Sequence, residues 1–124
     1  SWIVPSLSRQ RSLRVENEAV ELAANVYCVT ELLPREERYG LQAQMRRAAG
    51  SVASNIAEGS RRRSDRDFAR FVAMSEGSLA ELAIQAEIAV RLNLLGEDAM
   101  AECRARIVRL ERGLSSLRSR LQTQ

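Results

Sequence analysis

Seven apolar residues near the C-terminus, Met100, Cys103, Ile107, Leu110, Leu114, Leu117 and Leu121, follow one another at alternating steps of three and four. That 3.5-residue period is the mark of a helix whose apolar seam packs lengthwise against other helices. A half-buried strand needs alternation at every second residue, and no stretch of the chain has it. The only prolines, Pro5 and Pro34, lie outside the periodic segments, so long unbroken helices are expected.

Three more helices read in the same way. Val15, Ala19, Leu22, Val26, Val29 and Leu33 mark a first helix from about Arg14 to Leu33, closed by Pro34. Leu41, Met45, Ala48, Val52 and Ile56 carry a second to about Glu58, with Gly59 as a left-handed stop. Ser64, with Asp65 and Asp67 behind it, opens a third in a near capping box. Its stripe runs through Phe68, Phe71, Val72, Leu79, Leu82, Ala86 and Val90 to about Leu94. Short connections between four long helices predict an all-α, antiparallel up-down-up-down four-helix bundle over residues 13–124. Residues 1–12 are expected to form a flexible N-terminal segment.

With 4% aromatic residues the core must be built from Leu, Ala, Val and Ile. Ala-rich seams, and the interior glycines Gly50 and Gly77, predict close helix approach within or between subunits. Completion of the core by self-association follows as an expectation. Cys28 and Cys103 fall within apolar helical patterns, far apart, and are expected to be buried free thiols of a cytoplasmic protein. The N-terminus has neither the pattern of a signal peptide nor a membrane span.

The sequence contains no His, which removes the usual general base and the commonest transition-metal ligand. Two distant Cys make no zinc or thiol–disulfide motif. The carboxylate pairs Glu36–Glu37 and Glu97–Asp98 stand at helix starts, where acids favour the helix dipole. No catalytic residue, metal or cofactor is therefore assigned, and the chain is not expected to be an enzyme.

Charge is unevenly spread. Residues 35–70 carry nine Arg against five acids, residues 71–102 one against six, and residues 103–124 six against one. The last two blocks are expected to pair helix to helix, with Arg104, Arg106, Arg118 and Arg120 facing Glu76, Glu81 and Glu87. The middle excess has no such partner. Arg46, Arg47, Arg61, Arg62, Arg63, Arg66 and Arg70 are the candidates for contact with nucleic-acid phosphates. Each has a plainer reading: Arg46 or Arg47 paired with a carboxylate, and Arg61 to Arg63 as a solvated turn.

The central segment resembles a known family. Pro34-Arg35-Glu36-Glu37-Arg38-Tyr39-Gly40-Leu41, Gln44-Met45-Arg46-Arg47-Ala48-Ala49, Ser54-Asn55-Ile56-Ala57-Glu58-Gly59, Phe68-Ala69-Arg70-Phe71 and Gly77-Ser78-Leu79-Ala80-Glu81-Leu82 stand in order and spacing. They are similar to small bacterial four-helix-bundle proteins encoded by intervening sequences in large-subunit ribosomal RNA genes. The accessory variability determinant of diversity-generating retroelements belongs to the same group. This chain departs from the pattern after Leu13-Arg14-Val15, where Glu16-Asn17-Glu18-Ala19 replaces a segment that begins with Trp in the family. The resemblance implies a homopentamer around a central channel. For the retroelement branch it also implies RNA or DNA binding and a reverse transcriptase as partner. Two function classes follow: a basic nucleic-acid-binding accessory protein, and a scaffold acting only through protein–protein assembly.

Overall fold

The computed structural model describes residues 7–123, with side chains from Gln10 onward. Four helices follow in order: α1 (Leu7–Thr30), α2 (Leu41–Ser60), α3 (Asp65–Arg91) and α4 (Glu97–Gln122), with a single 3₁₀ turn at Arg35–Glu37. Each helix packs on its sequence neighbours and α4 returns to α1, while among the described residues the backbones of the diagonal pairs α1–α3 and α2–α4 stay apart. Arg11 meets Ser116 and Glu21 meets Arg106, so α1 and α4 run in opposite senses. The molecule is a four-helix bundle, as the periodicity predicts.

All seven residues of the α4 seam are buried, alongside Leu22, Val26, Met45, Val52, Ile56, Val72, Leu79 and Leu82. Burial of each large aliphatic side chain stabilises the fold by roughly 1.5–3 kcal/mol. Two serines draw α3 against α2. Ser75 donates to the Val52 carbonyl at 2.8 Å, and Ser78 meets Ser51 at 2.9 Å. Cys103 lies in the core, where burial pushes its thiol up to about 11. Cys28 does not: it is exposed, because it falls between the inward positions Val26 and Val29 and points away from both.

Several ends differ from the sequence expectation. Helix α1 begins at Leu7 rather than near Arg14, and Ser12 is buried against the bundle. Half of the segment expected to be flexible is therefore helix, and residues 1–6 lie outside the described residues. Helix α1 also stops at Thr30, four residues before Pro34. Helix α3 stops at Arg91, and Asn93 takes the left-handed turn at φ 59°. Leu94 N–H then reaches the Ala89 carbonyl at 2.9 Å and Asn93 N–H the Val90 carbonyl at 3.0 Å, a Schellman closure with Asn in place of Gly. Ser64 caps α3 as expected, accepting from Asp67 N–H at 3.1 Å.

Gly59 is not a left-handed stop. It lies within α2, and its φ is not positive. A Cβ there would stand 2.6 Å from Phe71 Cβ and 2.8 Å from Phe68 Cδ1, so glycine is required for the approach of α3. Gly50 and Gly77 show the reverse. No atom of another helix comes within 4 Å of a Cβ built at either position, so neither serves helix packing inside the bundle.

Candidate nucleic-acid interface

The turn from α2 to α3 is short because Gly59 lets the two helices close up. Four exposed residues, Arg61 to Ser64, therefore form the bundle tip. Arg61 folds back on its own helix and donates to the Ala57 carbonyl at 2.7 Å, satisfying an acceptor left open by the helix end. Arg62 pairs with Glu58 at 2.9 Å, and Arg70 with Asp67 at 3.1 Å. Both guanidinium groups also rest on the Phe71 ring, 4.7 and 4.8 Å from its centroid. These contacts hold two cations in fixed places while leaving each at least partly exposed. Arg63 and Arg66 are exposed and form no ion pair among the described residues.

Arg46 and Arg47 are not part of this cluster. Arg61 follows Arg47 by fourteen positions, about 21 Å along a helix. Arg46 is occupied: Nε donates to Thr30 Oγ1 at 2.9 Å, and Nη2 to the Tyr27 carbonyl at 3.1 Å and to Glu31 at 2.8 Å. Its guanidinium also covers the Tyr27 ring at 4.5 Å. Arg46 therefore ties α2 to the end of α1, with Glu31 in the carboxylate role. Arg47 is exposed, takes no part in an ion pair among the described residues, and lies toward the end of the bundle opposite the tip.

The fold adds cations that the sequence reading set aside. Because α1 starts and α4 ends beside the Arg61–Ser64 turn, Arg11, Arg14, Arg112, Arg118 and Arg120 stand at or near the same end. The C-terminal block is only partly consumed by helix pairing. Arg118 pairs with Glu76 at 2.6 Å and Arg104 with Glu87 at 3.2 Å, as expected. Arg106 instead joins Glu21 of α1 and Glu102 of its own helix, both at 2.9 Å. These hydrogen bonds hold the Arg106 and Arg118 guanidinium groups further toward the charged form. The Glu87 carboxyl is held below its usual range, first by the Arg91 hydrogen bond and then by Arg104. Among the described residues Arg112, Arg120 and Glu81 enter no ion pair.

Two shallow clefts mark this end. One, of about 390 Å³, lies between α1 and the α2–α3 turn and includes Ser12, Glu16, Arg61, Arg62 and Phe68. The other, of about 750 Å³, lies between the start of α3 and the end of α4 and includes Arg66, Arg70, Arg118 and Gln122. Open, cationic and hydroxyl-bearing surfaces of this kind suit phosphate oxygens better than a small apolar ligand. Among the described residues no group of three or more acidic or Cys side chains is placed to hold a metal ion. No described helix is long and apolar enough to cross a membrane.

A family model described as 23S rRNA-intervening sequence protein matches residues 11–116. A crystal structure from Bacteroides thetaiotaomicron VPI-5482, described as a protein with unknown function from the S23 ribosomal protein family, superposes with a TM-score of 0.81. The two are 17% identical, over 88% of this chain and 98% of that one, a likeness of fold. No curated protein matches the sequence.

Proposed function

This chain belongs to the 23S rRNA-intervening sequence protein family, and on that footing we propose that it is a non-enzymatic, self-associating helical scaffold that binds nucleic-acid backbone through its basic end. One observation carries the binding part of this reading. Arginines from three separate stretches of sequence meet at one tip, and Arg63, Arg66, Arg112 and Arg120 stand there without carboxylate partners among the described residues. Contact of this kind is sequence-blind and weakens as salt displaces it. The absence of His from the sequence supports the non-enzymatic part.

The test is retention of a mixed-sequence single-stranded RNA, and of a duplex DNA, across a salt series. Arg63→Glu with Arg66→Glu should weaken binding at low salt and flatten the dependence of log K on log salt by about 0.7 per lost single-strand contact. No retention by the wild-type protein at low salt would overturn the proposal.

A second reading has its own observation in its favour. Large apolar side chains are exposed along α1 and α3, among them Val20, Tyr27, Met74, Ile84 and Ile88. They support a scaffold whose partners are proteins, itself first, with a pentamer as the state that the resemblance implies. A reverse transcriptase as further partner is the narrower form of the nucleic-acid proposal. Its discriminator is genomic neighbourhood: an adjacent reverse-transcriptase gene with a template repeat supports it.

A further inference from the structure

The chain has one tryptophan, Trp2, and it opens an apolar run, Trp2-Ile3-Val4, that belongs to none of the four helical stripes. Pro5 follows at once and disfavours helical geometry at Val4, so the run does not simply extend α1. Where it goes is set by what lies within its reach.

Within reach is the smaller of the two tip clefts. Ser12 and Leu13 line it from α1, Arg61 and Arg62 from the α2–α3 turn, and Phe68 from α3. Leu13 is 56% exposed and Phe68 only partly buried, so the apolar wall of the cleft is uncovered. The level of the helices is fixed from the other end. Arg46 on α2 meets Tyr27 and Thr30 on α1. Fifteen residues tipward of these stand Arg61 on one side and Ser12 to Val15 on the other. The stretch from Leu7 to Leu13 therefore rises past the α2–α3 turn, by about 9 Å at 1.5 Å per residue. Residues 2–6, fully extended, span up to about 17 Å, nearly twice that return distance. The indole can come back down to the level of Leu13.

We infer that residues 2–5 fold back along the start of α1 as a strap, with the Trp2 indole seated in the cleft between α1 and the α2–α3 turn. The cleft offers what an indole needs. Leu13 and Phe68 give apolar contact to the body of the ring. Glu16 lines the same cleft, enters no ion pair among the described residues, and can accept from the indole N–H, which is a donor only. Arg61, drawn back to the Ala57 carbonyl at 2.7 Å, brings a guanidinium to the rim for the ring face. A segment tethered this closely stands at millimolar effective concentration, above that of a second copy at micromolar levels, so the strap takes the cleft first.

The seat of the strap follows from the cleft alone; its consequence rests on the nucleic-acid reading of the tip. Seated there, the strap lies across Arg61 and Arg62 and leaves Arg63 and Arg66 open. A strand that engages the whole tip must lift it, so strand binding and strap closure oppose each other, and each weakens the other by the same factor.

Trp2 is its own reporter, because all tryptophan fluorescence of the full chain comes from this one position. The wild-type emission should be blue-shifted, and acrylamide should quench it several-fold less than in the urea-unfolded chain. Leu13→Asp and Glu16→Lys should each move the emission to the red and raise quenching, with circular-dichroism melts showing both folded. Val20→Asp, on the same helix but outside the cleft, should leave the emission where it is. Removing residues 1–5 should tighten retention of single-stranded RNA at low salt about three- to tenfold, the factor by which a strap shut about two-thirds to nine-tenths of the time lowers the open fraction. RNA added to the wild type should drive the emission to the red in step with retention. A wild-type indole as quenchable as in the unfolded chain would overturn the strap. So would a protected indole that neither cleft variant exposes, or one that dilution releases, which would place it against a second copy. Equal retention with and without residues 1–5, with an emission that RNA leaves alone, would overturn the competition. A wild type that retains no RNA would overturn the binding reading of the tip, while the variants' fluorescence still decides the strap.

Discussion

Gly50, Gly59 and Gly77 all lie inside helices, where glycine is about 1 kcal/mol poorer than alanine. Their surroundings give them different meanings. A methyl group at position 59 would collide with Phe71 and Phe68, one at position 50 would meet nothing, and one at position 77 would begin to fill an outward hollow. Gly59→Ala should therefore lose about 1–3 kcal/mol to overpacking, outweighing its gain in helix propensity. Gly50→Ala should instead stabilise the subunit by up to about 1 kcal/mol. Urea unfolding followed by circular dichroism reads both, and equal shifts of one sign would contradict this account. A glycine at the end of an apolar pattern suggests a left-handed stop, because sequence displays where periodicity ends but not which helix lies overhead. Cys28 misled for a related reason: an apolar-looking residue one position off the stripe is outside, not inside.

Helix α4 was legible down to the residue, since seven seam positions at steps of three and four all face the core. Its period is set by burial on one side, which leaves its full record in the sequence. The end of α1 was not legible, because it depends on a contact across to α2. Arg46 donates to the Tyr27 carbonyl and the Thr30 hydroxyl, and Gln42 to the Thr30 carbonyl at 3.1 Å. Thr30 in turn donates to Val26 at 2.6 Å, so the last turn of α1 closes on itself and on its neighbour before Pro34 intervenes. Glu31 is largely exposed, and its pairing with Arg46 adds little. Arg46→Ala should therefore cost about 1–3 kcal/mol, chiefly from acceptors left without donors. It should leave RNA retention unchanged, whereas Arg63→Glu with Arg66→Glu should do the opposite. Thermal melts and filter retention on the same two variants separate structural from ligand-facing arginines. A stable Arg46→Ala protein with weakened retention would move Arg46 back to the interface.

Along its whole length the bundle is electrically lopsided. The end built by the start of α1, the α2–α3 turn and the end of α4 gathers the arginine cluster. The other end carries Glu31, Glu36, Glu37, Glu97 and Asp98 against Arg35, Arg38 and Arg91. None of this asymmetry shows in the near-balanced total charge, because the blocks that compose each end are distant in sequence and only the antiparallel path brings them together. A cyclic assembly such as the pentamer that the resemblance implies would keep the asymmetry, since rotation about one axis turns every tip to the same face. That face would be a circle of cationic tips, and a strand long enough to visit several of them would gain avidity without any new contact. Single-stranded RNA long enough to span neighbouring tips should therefore bind the wild-type protein about 10²–10⁴-fold more tightly than a Val20→Asp, Ile84→Asp variant, changed only on the exposed apolar faces, does. The variant keeps every tip arginine, so a short oligonucleotide that covers one tip should bind both proteins alike. The long strand should also show the steeper salt dependence with the wild type, in proportion to the phosphates engaged. Equal affinity of the two proteins for the long strand, with the variant monomeric, would mean that assembly does not present the tips together.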